Sequence, residues 1–295
     1  MRLRILPLLL IPVLFAAGCV VAVDSQGQIV RDEKRFTVSG APDLRLTTFD
    51  GSIEVRTWDR PEVLVEIEKR GASKEALDKL KVSSTQDGNR IELKVQNPAR
   101  HEMFFGIINH ASARFTVTMP RDGNLSAHSG DGSIHVEGVH GRLELRTGDG
   151  AVHASRVAGD LTVYTGDGSI TLDGADGQLD LETGDGGVDV TGTLKGVKLH
   201  SGDGSITFHA QAGSTMADDW SITTGDGGVS VYLPSGFGAQ IDAHSGDGAI
   251  RSDLSLTAGA DGVISKHTVR ATLGSGGRVL RIRTGDGSVR LRGGA

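Results

Sequence analysis

The sequence predicts an all-β protein, a parallel β-solenoid with 18-residue turns, or rungs, and one short inserted helix near the N-terminus. Three observations predict it. The chain has 43 Gly and only 4% aromatic residues, a composition typical of many short strands joined by tight turns. A Ser/Thr-Gly-Asp-Gly motif recurs along the second half of the chain. Apolar and polar residues alternate on both sides of each copy.

The motif occurs eight times, and its first five copies follow one another at a constant interval. The later intervals are longer and fit rungs lengthened by insertions, with one rung near 257–264 that has lost the motif. Such a fixed period indicates a repeat architecture. The motif aspartates are Asp131, Asp149, Asp167, Asp185, Asp203, Asp226, Asp247 and Asp286.

Each rung contains two alternating segments. Ile134 and Val136 begin one apolar column after the motif, and Leu143 and Leu145 begin another before the next copy. Period-two alternation predicts strands with one buried face. A meander of hairpins at the Asp-Gly turns is an alternative, but stacking in register over five rungs favours a coil in which each strand lies on its equivalent in the next rung.

Residues 1–19 read as a lipoprotein-type signal segment. Arg2 and Arg4 precede an apolar stretch and a run of small residues that ends at Cys19, the single cysteine. This resembles a lipobox, with Ala16 where Leu is commoner, and predicts Cys19 as the lipidation site. Ordinary secretion with a free thiol is the alternative. The absence of Asp after the cysteine resembles outer-membrane sorting, so we expect an exported chain anchored to the cell envelope.

Three further segments follow, a tether over 20–32, an irregular N-terminal part of the solenoid over 33–120 and the regular repeat over 121–295. In the irregular part, residues 48–58 resemble a ninth motif copy, and 63–70 and 90–95 alternate as strands. Residues 73–81 predict a helix with Ser73 as N-cap, inserted to cover the first rungs. At the other end, six arginines between positions 263 and 295 face one acid, Asp286, and form a basic edge.

The Gly-Asp-Gly corner has two chemical interpretations. In the structural one, the aspartate accepts hydrogen bonds from nearby N–H groups or the Ser/Thr hydroxyl, and the glycines take positive φ. In the other, the eight aspartates listed above form a calcium column, although one carboxylate per rung is few for an ion that takes six to eight oxygens. The structural interpretation is favoured, and we expect the protein to have neither a cofactor nor catalytic residues. The turn glycines are Gly130, Gly132, Gly148, Gly150, Gly166, Gly168, Gly184, Gly186, Gly202 and Gly204.

The stretches 44–95, 114–120 and 129–150 resemble the bacterial putative-adhesin family of β-strand-repeat domains of unknown function. The resemblance implies a right-handed β-solenoid that is exported or membrane-anchored, and it supplies no catalytic residues. We therefore expect a non-catalytic structural or interaction module that binds an envelope or surface partner. A calcium-stabilised glycan-binding or surface-binding adhesin and a polysaccharide-active solenoid enzyme are the alternatives. The formal net charge of -6 gives no reason to expect nucleic acid as a partner.

Overall fold

The computed structural model describes residues 20–24, 27–96 and 111–294, and this part of the chain is almost entirely β-strand. The N-terminal section comprises β1 (Val20–Asp24), β2 (Gly27–Thr37), β3 (Asp43–Thr47), β4 (Ile53–Trp58), β5 (Glu62–Gly71), α1 (Lys74–Lys79), β6 (Lys81–Asp87), β7 (Arg90–Gln96) and β8 (Ala111–Pro120). The middle section comprises β9 (Asn124–His128), β10 (Ile134–Glu137), β11 (His140–Thr147), β12 (Val152–Ser155), β13 (Ala158–Thr165), β14 (Ile170–Thr183), β15 (Val188–Ser201) and β16 (Ile206–Ala210). The C-terminal section comprises β17 (Trp220–Thr224), β18 (Val229–Leu233), β19 (Ala239–Ser245), β20 (Ile250–Ser252), β21 (Leu256–Thr257), β22 (Val263–Ile264), β23 (Thr268–Leu273), β24 (Val279–Thr284) and β25 (Val289–Gly293). The all-β class is confirmed.

Two ladders of parallel strands form the body of the molecule. The downstream ladder contains the strands that follow a motif copy, with β8 added at its N-terminal end, in the spatial order β8-β4-β10-β12-β14-β15-β16-β18-β25-β20. The upstream ladder contains the strands that precede a copy, with β7 added at its N-terminal end, in the order β7-β3-β9-β11-β13-β14-β15-β17-β24-β19. The long strands β14 and β15 belong to both ladders, and in β14 residues 170–173 lie in the downstream ladder and 176–183 in the upstream one. The ladders are therefore parts of one continuous sheet.

The constant register predicted from the sequence is confirmed in the regular part. Ile134 pairs with Val152, and Val152 with Ile170, all in parallel register. The apolar columns that follow and precede the motif are buried, and they form a single core. The meander alternative is wrong here, because consecutive motif strands pair with their equivalents one rung away.

The rungs do not stack in chain order at the C-terminal end. Each rung is the pair of strands that flank one motif copy. The rung of Asp286, made of β24 and β25, lies between the rung of Asp226 and the rung of Asp247. The prediction of a degenerate rung at 257–264 is wrong, because β21 and β22 instead pair antiparallel with β23 beyond β19.

The N-terminal end has the same arrangement. Residues 48–58 are a ninth copy, as predicted, and Ile53 of β4 pairs in parallel with Ile134. The rung of β3 and β4 lies between the strands β7 and β8 on one side and β9 and β10 on the other. At each end of the described chain, therefore, the terminal rung is inserted one place inside the stack.

Antiparallel strands flank the parallel ladders. At the N-terminal end β1, β2, β5 and β8 pair antiparallel in that order, and β6 pairs antiparallel with β7. At the C-terminal end β23 pairs antiparallel with β19. The sheet is thus mixed, and the expectation of a parallel sheet throughout does not hold at its ends. Residues 20–32, expected to be a tether, contain β1 and half of β2.

The inserted helix is confirmed as α1. The Ser73 hydroxyl accepts a hydrogen bond from the Ala76 N–H at 3.3 Å, so Ser73 is the N-cap. Ala76 and Leu77 are buried, and the Lys69 ammonium donates to the Leu80 carbonyl at 2.9 Å. The helix packs against β5 and β2, on the antiparallel strands of the N-terminal end.

Candidate functional site

The first residue of each motif copy is buried and its hydroxyl crosses to the neighbouring rung. Thr165 donates to the carbonyl oxygen of Gly150, the second glycine of the previous copy, at 2.9 Å. The same bond recurs for Ser129, Thr147, Thr183, Ser201, Thr224, Ser245 and Thr284, at 2.8–3.0 Å. Thr48 of the ninth copy donates to the Ala113 carbonyl at 3.0 Å. We call this series the hydroxyl ladder.

The same hydroxyl also closes its own corner. The N–H of Gly168 donates to Thr165 Oγ1 at 3.2 Å, and the N–H of Gly204 donates to Ser201 Oγ at 2.9 Å. Equivalent bonds form at Ser129, Thr183 and Thr284. A short side chain that donates and accepts at once is required here, which explains why only Ser and Thr occupy the position.

The motif glycines are required for close approach, not for positive φ. None of them has φ in the left-handed region, so that part of the structural interpretation is wrong. A Cβ at Gly168 would lie 2.0 Å from the Gly150 carbonyl oxygen, and across the ten predicted turn glycines the corresponding distance to a backbone oxygen of the neighbouring rung is 1.9–2.7 Å. Positive φ occurs instead at the second corner of the rung, for example at Gly138 and Gly174.

The eight motif aspartates are exposed, and they lie at the same corner of successive rungs. None of their carboxylates forms a side-chain hydrogen bond or ion pair with another described residue, so the expectation that they accept from N–H groups or from the Ser/Thr hydroxyl is wrong. Their backbone N–H groups take part in the corner, as when Asp203 donates to the Gly184 carbonyl at 3.1 Å. Across residues 20–24, 27–96 and 111–294, no group of three or more His, Cys, Asp or Glu side chains is arranged to hold a metal ion.

Five of the six C-terminal arginines lie in two places. Arg270, Arg281 and Arg283 surround Asp242 of the upstream ladder, and Arg283 donates to its carboxylate at 2.6 Å and to its backbone carbonyl at 2.7 Å. Arg290 and Arg292 lie in the downstream ladder, where Arg290 is the register partner of Arg251. Sequence reasoning missed Asp242 because it lies outside the C-terminal segment. Arg270 reaches it through the antiparallel pairing of β23 with β19, and Arg281 and Arg283 reach it through the insertion of β24 beside β19.

Aromatic side chains stack on the outer face of the downstream ladder. His135 and His153, one rung apart, have ring centroids separated by 4.8 Å and an interplanar angle of 10°. His209 and Tyr232 stack at 3.9 Å, and the Arg292 guanidinium lies 5.8 Å from the Tyr232 ring centroid. His209 and Tyr232 are register partners although an insertion lengthens the interval between their rungs.

Cys19 lies outside the described residues. Within the part of the chain that is described, no helix has the length and apolar character needed to cross a membrane.

Comparison with known proteins identifies the family. The model of the family Toastrack DUF4097 matches residues 42–292, while no curated protein matches the chain. Among solved structures, the chain is similar to a "putative cell adhesion protein" from Clostridium sporogenes, with 13% identity, 90% of this chain and 99% of that chain covered and a TM-score of 0.29. It is also similar to a "putative adhesin" from Bacteroides fragilis, with 12% identity, 88% and 96% covered and a TM-score of 0.45. A "putative lipid binding protein" from Parabacteroides distasonis has 13% identity, 88% and 96% covered and a TM-score of 0.42. With its family model matched over most of its length, the chain belongs to the Toastrack DUF4097 family.

Proposed function

We propose that this protein is a non-catalytic, adhesin-like module of the cell envelope, exported and anchored through a lipid on Cys19. The observation that carries the proposal is that different residues of the repeat stack the rungs and form the exposed surface. The hydroxyl and glycines of the motif are used to stack the rungs, whereas the outward side chains of both ladders remain exposed in regular columns. Such a scaffold suits the display of a contact surface.

The coil itself is proposed to be right-handed. Parallel pairing between equivalent strands of successive rungs supports this, because crossover connections between parallel strands are almost always right-handed. A crystal structure of the mature chain tests it, and a left-handed coil would overturn it.

The anchor is tested by labelling cells with an alkyne fatty acid. The wild-type protein is expected to incorporate the label and to sediment with the envelope fraction, and the Cys19→Ser variant is expected to lose both properties. Label on the Cys19→Ser variant, or an unlabelled wild-type protein, would overturn the lipid anchor.

The interaction role is tested by placing a photo-crosslinking amino acid on an outward column of the protein in intact cells. Tyr164 is suitable because it is 43% exposed on the outer face of the upstream ladder. A crosslinker in place of Lys69, whose ammonium is bonded to the Leu80 carbonyl, is the matched control. We expect one defined envelope component to be captured from position 164 and not from position 69. Capture of nothing above the control, at position 164 and at the outward position 182 of the next rung, would contradict the proposal.

A further inference from the structure

Arg156 adopts a backbone conformation that is occupied by glycine at the equivalent positions of the adjacent rungs. Among the described residues it is the one non-glycine residue with positive φ, at 51°. The equivalent positions one rung before and one rung after are Gly138, with φ of 78°, and Gly174, with φ of 67°. A side chain in this region costs about 1–2 kcal/mol. The sequence therefore keeps an arginine where the backbone favours glycine.

The strained residue lines a cationic cleft of about 330 Å³. The cleft brings together residues from four separate parts of the chain, which are Arg56, Thr57, Arg121, Glu137, Gly138, His140 and Arg156. Three guanidinium groups thus share the lining with a single carboxylate. Such an excess of one charge in a concave site concentrates a ligand of the opposite charge.

The arginines differ in how they are held. Arg156 pairs with Glu137, and Arg56 pairs with Glu54 at 2.5 Å. Arg121 forms no ion pair or side-chain hydrogen bond with any described residue, so its five donors remain available. Two oriented guanidinium groups and one uncommitted group are suited to receive an anionic ligand.

Backbone contacts fix the walls of the cleft. The His140 N–H donates to the Arg121 carbonyl at 2.8 Å, and the Gly123 N–H donates to the His140 carbonyl at 2.9 Å. A Cβ at Gly138 would lie 2.6 Å from Thr57 Oγ1, so the absence of a side chain there keeps Thr57 accessible from the cleft. The site is built on paired strands and their corners, which gives it a rigid frame.

We propose that this cleft binds an acidic sugar, a monosaccharide-sized group that carries a carboxylate or a phosphate. The planar fork of a guanidinium matches the oxygens of either anion. Glu137 would repel a bare anion but can accept hydrogen bonds from sugar hydroxyls, and Thr57 and His140 offer further hydrogen-bonding groups. This assignment rests on the proposed function and deepens it by naming the ligand class of one site.

Because Arg156 is strained, the Arg156→Gly variant distinguishes a residue that stabilises the fold from a residue that binds a ligand. Arg156→Gly restores the residue of the neighbouring rungs, so the variant is expected to unfold at the same or a higher temperature. Its affinity for the acidic sugar is expected to fall about tenfold or more, because a charge-assisted hydrogen bond is lost. Gain in stability with loss of binding is the signature of a residue retained for a ligand.

The experiment is a titration of the mature protein with glucuronate and with glucose 6-phosphate at low ionic strength, followed by NMR at the backbone amides of 137–140. Glucose, inorganic phosphate and phosphatidylglycerol vesicles are the comparison ligands. Wild-type protein and Arg146→Ala, an exposed arginine of the upstream ladder paired with Glu144, are expected to bind at least one acidic sugar equally well and more tightly than glucose or phosphate. Arg156→Gly and Arg121→Ala are expected to bind it about tenfold more weakly.

Several outcomes would overturn the assignment. They are no binding of either acidic sugar by the wild-type protein, binding of phosphate or vesicles alone, or unchanged affinity in both variants. If Arg156→Gly is destabilised, Arg121→Ala decides the matter, because Arg121 makes no side-chain hydrogen bond or ion pair with a described residue whose loss could unfold the protein. Failure here leaves the result of photo-crosslinking on cells unaffected, so the two proposals fail separately.

Discussion

The hydroxyl of Thr165 lies 2.9 Å from the carbonyl oxygen of Gly150 and donates its proton to it across the gap between neighbouring rungs. Thr165 is fully buried. Its hydroxyl also accepts the N–H of Gly168 at 3.2 Å. One side chain therefore satisfies a buried acceptor on one rung and a buried donor on its own, and the repetition of this relationship explains why each motif copy begins with Ser or Thr.

Replacing Thr165 with Val is expected to destabilise the protein by about 1–3 kcal/mol, because a carbonyl and an N–H are left buried without partners. Chemical denaturation measures the change. Thr165→Ser should retain most of the stability, and Thr162→Val, at an exposed position of the same strand, should change it by less than about 0.5 kcal/mol. A Thr165→Val variant as stable as the wild type would contradict the role of the hydroxyl ladder.

The inserted terminal rung predicts an unusual pattern of hydrogen exchange. Chain termini usually fray, but β24 and β25 are paired on both sides and bury Leu280, Ile282, Val289 and Leu291. We expect the amides of 279–293 to exchange as slowly as those of β16 and β18, and those of the edge strand β22 to exchange faster. Mass spectrometry of deuterated peptides provides the comparison. Rapid exchange over 279–293 would show that the last rung is not held inside the stack.

Glu68 predicts a dependence of stability on pH. Burial alone would raise the pKa of Glu68, but hydrogen bonds and charge from Arg70, at 2.7 Å, and Arg31, at 2.8 Å, outweigh it and lower the pKa. A carboxyl whose pKa is lower when folded stabilises the protein above its unfolded pKa of about 4.3 and loses that contribution as the pH falls through the folded value.

The variant Glu68→Gln should therefore be less stable than the wild type at pH 7, by no more than about 1 kcal/mol for a surface pair. The difference should shrink below about pH 4. Denaturation curves across this range provide the test, with Glu66→Gln, at an exposed position of the same strand, as the control. A difference that is constant with pH would mean that the ion pairs do not contribute.

Removing the negative charge from individual motif aspartates is expected to leave the stability of the protein unchanged. Asp149 and Asp167 are exposed and their carboxylates contact no described partner. The double variant Asp149→Asn, Asp167→Asn should therefore keep its stability within about 0.5 kcal/mol. Calcium should leave the unfolding temperature of both proteins unchanged. If calcium raises it for the wild type and less for the double variant, the calcium-stabilised adhesin becomes the better account.

Much of the fold could be predicted because it depends on local pattern and fixed spacing. The alternation that begins at Ile134 indicated the buried faces, and the spacing between Asp131 and Asp149 indicated the register. The position of the Asp286 rung could not be predicted, since sequential elements are usually neighbours in space and only tertiary packing decides an insertion. The same insertion brings Arg283 to Asp242 across a sequence separation of 41.

The roles of the corner residues were harder to predict for a physical reason. A glycine at a turn is compatible with positive φ or with close backbone approach, and the sequence around Gly168 does not distinguish them. The short distance from a Cβ at this position to the Gly150 carbonyl oxygen of the neighbouring rung shows that close approach is the reason. Likewise, the 18-residue period aligns Arg156 with Gly138 and Gly174, but only the structure shows that Arg156 keeps the positive φ of those glycines.

The motif glycines let neighbouring rungs stack with their backbones in close contact. Gly168 and Gly187 provide a matched pair, since a Cβ would lie 2.0 Å from the Gly150 oxygen in the first and 3.5 Å from the Ser205 oxygen in the second. Free energies of unfolding for Gly168→Ala and Gly187→Ala show whether the missing Cβ at the motif glycine is what permits this stacking. We predict a loss of about 3 kcal/mol or more for Gly168→Ala, from overpacking against the backbone, and a change within about 0.5 kcal/mol for Gly187→Ala. Equal effects of the two substitutions would contradict the account.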